Sequence, residues 1–144
     1  MRYQAHKTFN LGAIQDSSDG KQYKYVQLVD AVSENDLTVW DDTSLTKVVK
    51  TYANGIVANK LPAGRCNATA TAGQYGWIQV SGSGICTDTG GAVAAGDKVS
   101  IGGGDGSVVT ATVADAEGES QDIYVGISLS ASASNLVVVK LDLI

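Results

Sequence analysis

The chain has 144 residues, room for one ordinary domain that buries a core without help from a metal or a disulfide. Seventeen glycines, one proline and a preponderance of small and β-branched residues favour short strands joined by glycine turns over long helices. The formal charge of −5 is thinly spread, without the basic patch that nucleic-acid binding requires, and no apolar run approaches the length of a membrane span.

The N-terminus, MRYQAHKTFN, lacks the apolar centre of a signal peptide, so a soluble chain made in a cytoplasm is expected. Residues 1–20 carry Arg2, His6 and Lys7, a weak alternation of Tyr3, Ala5 and Phe9, and then LGAIQDSSDG. They read as an extended arm of the kind that folds against a partner. A β domain is expected over 21–144. Strands are predicted at 22–30, at 37–40 ending in Trp40, and at 46–52. Asn54-Gly55 is a turn pair with a short strand at 56–58, and LPAG at 61–64 breaks the chain.

After a lead-in at 65–72 comes GQYGWIQVSG (73–82). Tyr75, Trp77 and Gln79 point to one side of this strand, and Gly76, Ile78 and Val80 to the other, so both faces are expected to be covered. A loop is predicted at 81–84, a short strand at 85–87 and a turn at 88–91. A strand at 98–101 and its return at 107–113 flank a glycine-rich tip, followed by an acidic exposed loop at 114–122. Strands at 123–129 and 136–144 complete the chain. Strand after strand means an all-β fold, a small barrel or sandwich.

The sequence also resembles itself. QYKYVQLVD (22–30) matches QYGWIQVSG (74–82), AVSEND (31–36) matches AVAAGD (92–97), and GIVA (55–58) answers GISL (126–129). This suggests internal duplication with halves of about 22–64 and 74–144. Asn35 and Gly96 fall at the same step and are the residue types that most readily take positive φ, so each is expected to form a tight turn before a strand. The last strand follows its Gly-Ile step as QYGWIQV follows the earlier one, and is expected to close the sheet.

No catalytic constellation emerges. His6 has no second ligand at metal spacing, and Cys66 and Cys86 lack Cys-x-x-Cys spacing. The two cysteines are either small buried thiols or a disulfide clamping the central strand. Ser81-Gly82-Ser83-Gly84 is not a nucleophile elbow. Gly102 to Gly106 is followed by Ser107-Val108 rather than the Lys-Ser/Thr of a phosphate loop. Asp115, Glu117, Glu119 and Asp122 read as a solvated acidic loop before a weak cation site. Tyr23, Tyr25, Tyr75 and Trp77 could stack sugars or bases, but their apolar neighbours favour packing in a core or a subunit interface.

AGQYGWIQVSG (72–82), AVAAGDKV (92–99) and YVGISLSASASNLVVVKL (124–141), with GIVANKLPAG (55–64) before them, resemble the small decoration, or cement, proteins of tailed-bacteriophage heads. The resemblance covers about 55–144, with a weaker match from 22. The cysteine pair and the acidic loop depart from it. It implies a structural protein with no enzymatic role and no cofactor, bound to the outer face of the expanded capsid of a virion. There it would bridge major capsid protein subunits as a homo-oligomer, most simply a trimer. It also implies that the arm meets the shell, through Arg2, Tyr3, His6, Lys7 and Phe9, with Arg2, Lys7 and the terminal amine suited to an acidic surface. The rival reading is a carbohydrate-binding or adhesin-like β-module of a virion using the aromatic faces, and a third is a hydrolase with an unrecognised site.

Overall fold

The structure, a computed structural model, describes residues 3–41, 46–50, 61–101, 106–111 and 124–143. Among these the fold is all-β. Its ten strands are β1 (Ile14–Asp16), β2 (Gln22–Leu28), β3 (Leu37–Trp40), β4 (Lys47–Lys50), β5 (Pro62–Cys66), β6 (Tyr75–Thr87), β7 (Lys98–Ile101), β8 (Val108–Thr110), β9 (Tyr124–Ser128) and β10 (Leu136–Asp142).

The strands close into two rings that share β6. In the first, the order is β2-β4-β3-β5-β6, and β6 returns to pair with β2. In the second, the C-terminal half of β6 is followed by β10, β9, β7 and β8, and a parallel bridge from Thr87 to Ser107 links the β8 end back to β6. The rings follow one plan. In each, the first strand meets the third in parallel (β2 with β4, β6 with the start of β8), and the remaining pairs are antiparallel. Each also has a register shift early in its second strand, between Thr38 and Val39 and between Val99 and Ser100. By place in its ring, β2 corresponds to the Ser81–Thr87 half of β6, and the first half of β6 corresponds to β10. The similar stretches at 22–30 and 74–82 are neighbours that pair antiparallel, Tyr25 opposite Trp77.

The turns before β3 and β7 are built alike. Asn35 has φ 75° and Gly96 φ 87°, as their residue types foretell. In both turns the following aspartate reaches back: Asp36 Oδ2 accepts from Ser33 N at 2.8 Å and Asp97 Oδ2 from Ala94 N at 2.9 Å. Such closed turns satisfy backbone groups that the strands leave over.

Four expectations change. Residues 81–84 are not a loop: β6 runs unbroken for 13 residues, bending at Gly82 (φ 88°) as it passes from one ring to the other. Residues 61–64 are not a simple break, since β5 starts at Pro62, the position where a strand tolerates proline. β1 was not foreseen and pairs with β2. Finally, residues 3–16, read as an arm that folds against a partner, lie here against the domain itself: Gln4 bridges Tyr75, and Ala13 O accepts from Tyr25 N. The predicted strand at 56–58, the glycine tip at 102–105 and the acidic loop at 114–122 lie outside the described residues.

Two apolar clusters form the core, one within each ring, with Leu37 and Val39 of β3 joining the second. Val26, Leu28, Val48, Cys66, Ile78 and Val80 fill the first, and Cys86, Val99, Val108, Val125, Val137 and Leu141 the second, with Leu143 against both. Each fully buried aliphatic side chain contributes about 1.5–3 kcal/mol. The cysteines sit in different clusters, and both are free buried thiols, so no disulfide clamps the central strand.

Candidate functional site

The β2–β6 pair carries the aromatic residues because its alternation sends Val26, Leu28, Ile78 and Val80 inward and Tyr23, Tyr25, Tyr75, Trp77 and Gln79 to the other face. Tyr25 and Trp77 are directly opposite, their rings 5.1 Å apart and edge to face; Tyr75 stacks near Tyr25 at 6.5 Å. Phe9 lies over both, 5.3 Å from Tyr25 and 5.2 Å from Trp77. Edge-to-face pairs of this kind add about 0.5–1.5 kcal/mol each beyond area burial. Thr8 N donates to the Tyr25 hydroxyl at 3.0 Å, so the N-terminal segment closes over Tyr25 and leaves it 2% exposed.

The residues expected to meet a shell divide. Tyr3 is a core residue, its hydroxyl donating to Trp77 O at 3.1 Å, and it has no surface to offer a partner. Its neighbour Gly76 makes room for it. His6 and Lys7 are exposed, and Phe9 keeps 52% of its surface in solvent while its other side rests on Tyr25 and Trp77. Arg2 lies outside the described residues. Tyr23, Tyr75 and Trp77 are half-buried. The four strand aromatics therefore do share one face, but Tyr25 at its centre is closed to a ligand.

One polar device had no clear signal in the sequence. Gln79 is fully buried where β6 bends; its Nε2 donates to Ser81 O at 3.2 Å and Ser83 O at 2.9 Å. Arg65 donates from Nη1 to Gln79 Oε1 at 3.0 Å, from Nη2 to Asn35 Oδ1 at 2.8 Å and from Nε to Ile85 O. This guanidinium ties the turn before β3 to both halves of β6. Gly84 leaves space for it, since a Cβ there would fall 2.6 Å from Gln79 Oε1.

Asp88, Asp97 and the buried thiols are structurally occupied. Asp88 accepts from Gly91 N and Val93 N, and Asp97 also accepts from Thr110 Oγ1. Burial pushes both the Cys66 and Cys86 thiols up to about 12, so neither offers a thiolate nucleophile at neutral pH. Burial likewise raises the Tyr3 phenol well above its ordinary value, with the nearby Cys66 adding to it. Among the described residues no group of three or more His, Cys, Asp or Glu is placed to hold a metal, and no helix is long and apolar enough to cross a membrane.

These features define a compact two-ring β domain whose evident specialisations are surface faces rather than a cleft lined with reactive groups. Neither a protein-family model nor a curated protein matches the sequence. Among solved structures, the fold is similar to the N base of head fiber gp8.5 of bacteriophage phi29. The TM-score is 0.56 at 13% identity, covering 83% of this chain and 92% of that one.

Proposed function

We propose that this protein is a structural component of a tailed-phage head that binds the outer face of the expanded capsid and stabilises the shell. The observation that carries the reading is the fold likeness to a phage head-fibre base over nearly the whole of that chain. The architecture suits the role: among the described residues the sheet's edge strands, β1 and β8, are only three residues long, too short to template edge-to-edge pairing between many displayed copies. Modest contacts to major capsid protein subunits, multiplied through a homotrimer, would hold it by avidity. On this reading His6, Lys7 and Phe9 are the shell-facing part of the N-terminal segment, and Tyr3 is the anchor that fixes the segment to the domain.

The test is to mix the purified protein with expanded capsids lacking it, sediment the mixture and follow capsid rupture on heating. Saturable binding with a raised rupture temperature is expected; no binding at any protein concentration overturns the proposal. Removing the first 18 residues would confuse the outcome, because it deletes a core tyrosine and β1. Lys7→Glu combined with Phe9→Ser leaves Tyr3 in place and is expected to weaken binding without unfolding the domain.

A further inference from the structure

The outer face of the second ring combines exposed apolar side chains with a row of cations. Ile127 on β9 has Lys98 of β7 as its partner on one side and Lys140 of β10 on the other. With strands about 4.8 Å apart, the two lysine backbones are about 10 Å from each other across one isoleucine. Both lysines are exposed, and neither forms an ion pair among the described residues; Lys98 Nζ stands 5.4 Å from the centroid of the Tyr124 ring. They line a groove of about 500 Å³ with Tyr124 and Ile127. On the other side of β10 a smaller groove, of about 200 Å³, is lined by Lys21, Arg65, Ile85 and Val138. Ile85 is directly opposite Val138, and Ile85, Ile127, Leu129 and Leu136 are each 39–54% exposed.

Four of the ten Lys and Arg side chains of a chain with net charge −5 therefore border one sheet face. Among the described residues, the acids beside them are Asp142, in the larger groove, and Asp19, which pairs with Lys21 at 3.6 Å. We infer that this face, centred on Lys98, Ile127 and Lys140, docks an acidic, partly apolar protein surface, which on the head-protein reading belongs to the capsid shell. Charge complementarity selects the occupant. A nucleic acid is disfavoured because the face is largely aliphatic between its cations and the whole molecule repels polyphosphate at long range. A second copy packed face to face by a twofold would set lysines against lysines. The inference rests on the proposed head role for the identity of the partner, though not for its chemistry.

The experiment uses the full chain and two probes, expanded capsids and a synthetic peptide of alternating Glu and Leu, with amide NMR shifts followed for the peptide. The variant is Lys98→Glu/Lys140→Glu, with Lys98→Arg/Lys140→Arg as the conservative partner and thermal melts verifying that each folds. The charge reversal is expected to weaken capsid binding at least about tenfold, the arginine variant to retain it, and added salt to weaken the wild type more than the reversal. Equal capsid binding by wild type and reversal overturns the inference and leaves the head reading standing. If the wild type ignores capsids but the peptide shifts Lys98, Ile127 and Lys140, and the reversal abolishes those shifts, the face holds and the head reading falls. Silence toward both probes overturns both. An oligomer that dissociates on charge reversal, seen by sedimentation velocity, would assign the face to a second copy and overturn the inference.

Discussion

The ring of Tyr3 fills the space that a side chain on Gly76 would need: a Cβ there would fall 2.2 Å from Tyr3 Cδ1. A glycine in the long shared strand thereby becomes the socket for a residue 73 positions earlier, and the Tyr3 hydroxyl locks in by donating to Trp77 O. Gly76→Ala should expel the ring, destabilise the protein by about 1–3 kcal/mol and expose the N-terminal segment to proteases. Because Tyr3→Ala removes the same contact, the double variant should cost clearly less than the sum of the singles in urea unfolding. Additive losses would mean that the two residues are not coupled.

Gly126 and Gly64 occupy the same place in the two rings, on the strand that precedes the closing one. A Cβ on Gly126 would meet Lys140 O at 1.9 Å, and one on Gly64 would meet Gln79 O at 2.7 Å. Backbone cannot swing aside as a side-chain tip can. Gly126→Ala should cost about 3 kcal/mol or more, and Gly64→Ala somewhat less. Gly90→Ala, where the nearest atom is 3.7 Å away, should stay within about 0.5 kcal/mol. Denaturant midpoints rank the three.

The two buried thiols predict an alkaline limit to stability. Each rises from 9.0 to about 12 on folding, chiefly through burial. Below pH 9 both states keep the protons and the stability is unaffected. Between pH 9 and pH 12 the unfolded chain releases protons that the folded chain retains, so stability falls as pH rises. With two such groups the slope approaches about 2.7 kcal/mol per pH unit. Cys66→Ala/Cys86→Ala should remove most of that slope, leaving above about pH 10 the part contributed by the buried Tyr3 phenol, whose proton is likewise held more tightly in the folded state. In the native state neither thiol should react with a thiol reagent at pH 8, and both should do so once the chain is unfolded.

Arg65 should not tolerate lysine. Its three donors face three separate acceptors, and an ammonium cannot span them. Arg65→Lys leaves the buried Gln79 Oε1 poorly paired and should cost about 1–3 kcal/mol by chemical unfolding. An unchanged midpoint would show that Gln79 is satisfied without it.

Much of the fold is legible locally. Runs of β-branched, aromatic and other apolar residues at 22–28, at 37–40 and along 136–142 mark strands because such side chains fit a pleated, packed surface, and the structure has strands there. Asn35 and Gly96 take positive φ because few other residue types do so at low cost. The candidate site was only partly readable. Its aromatic residues are visible in sequence and do share a face, but the row of Lys98, Ile127 and Lys140 joins positions that lie far apart along the chain, and no spacing rule reports it.

Sequence alone determined the all-β class and the positive-φ turns before β3 and β7, since composition and short-range preferences express the intrinsic tendencies of backbone and side chain. The tertiary structure decided what each glycine is for. In sequence, Ser81 to Gly84 reads as a loop and Gly76 as a weak point in a strand. In the fold, Gly82 and Gly84 carry β6 from one ring into the next around a buried Gln79, and Gly76 admits Tyr3. A missing side chain permits a turn and a close approach equally well, and only the partner arriving from elsewhere in the chain selects between them.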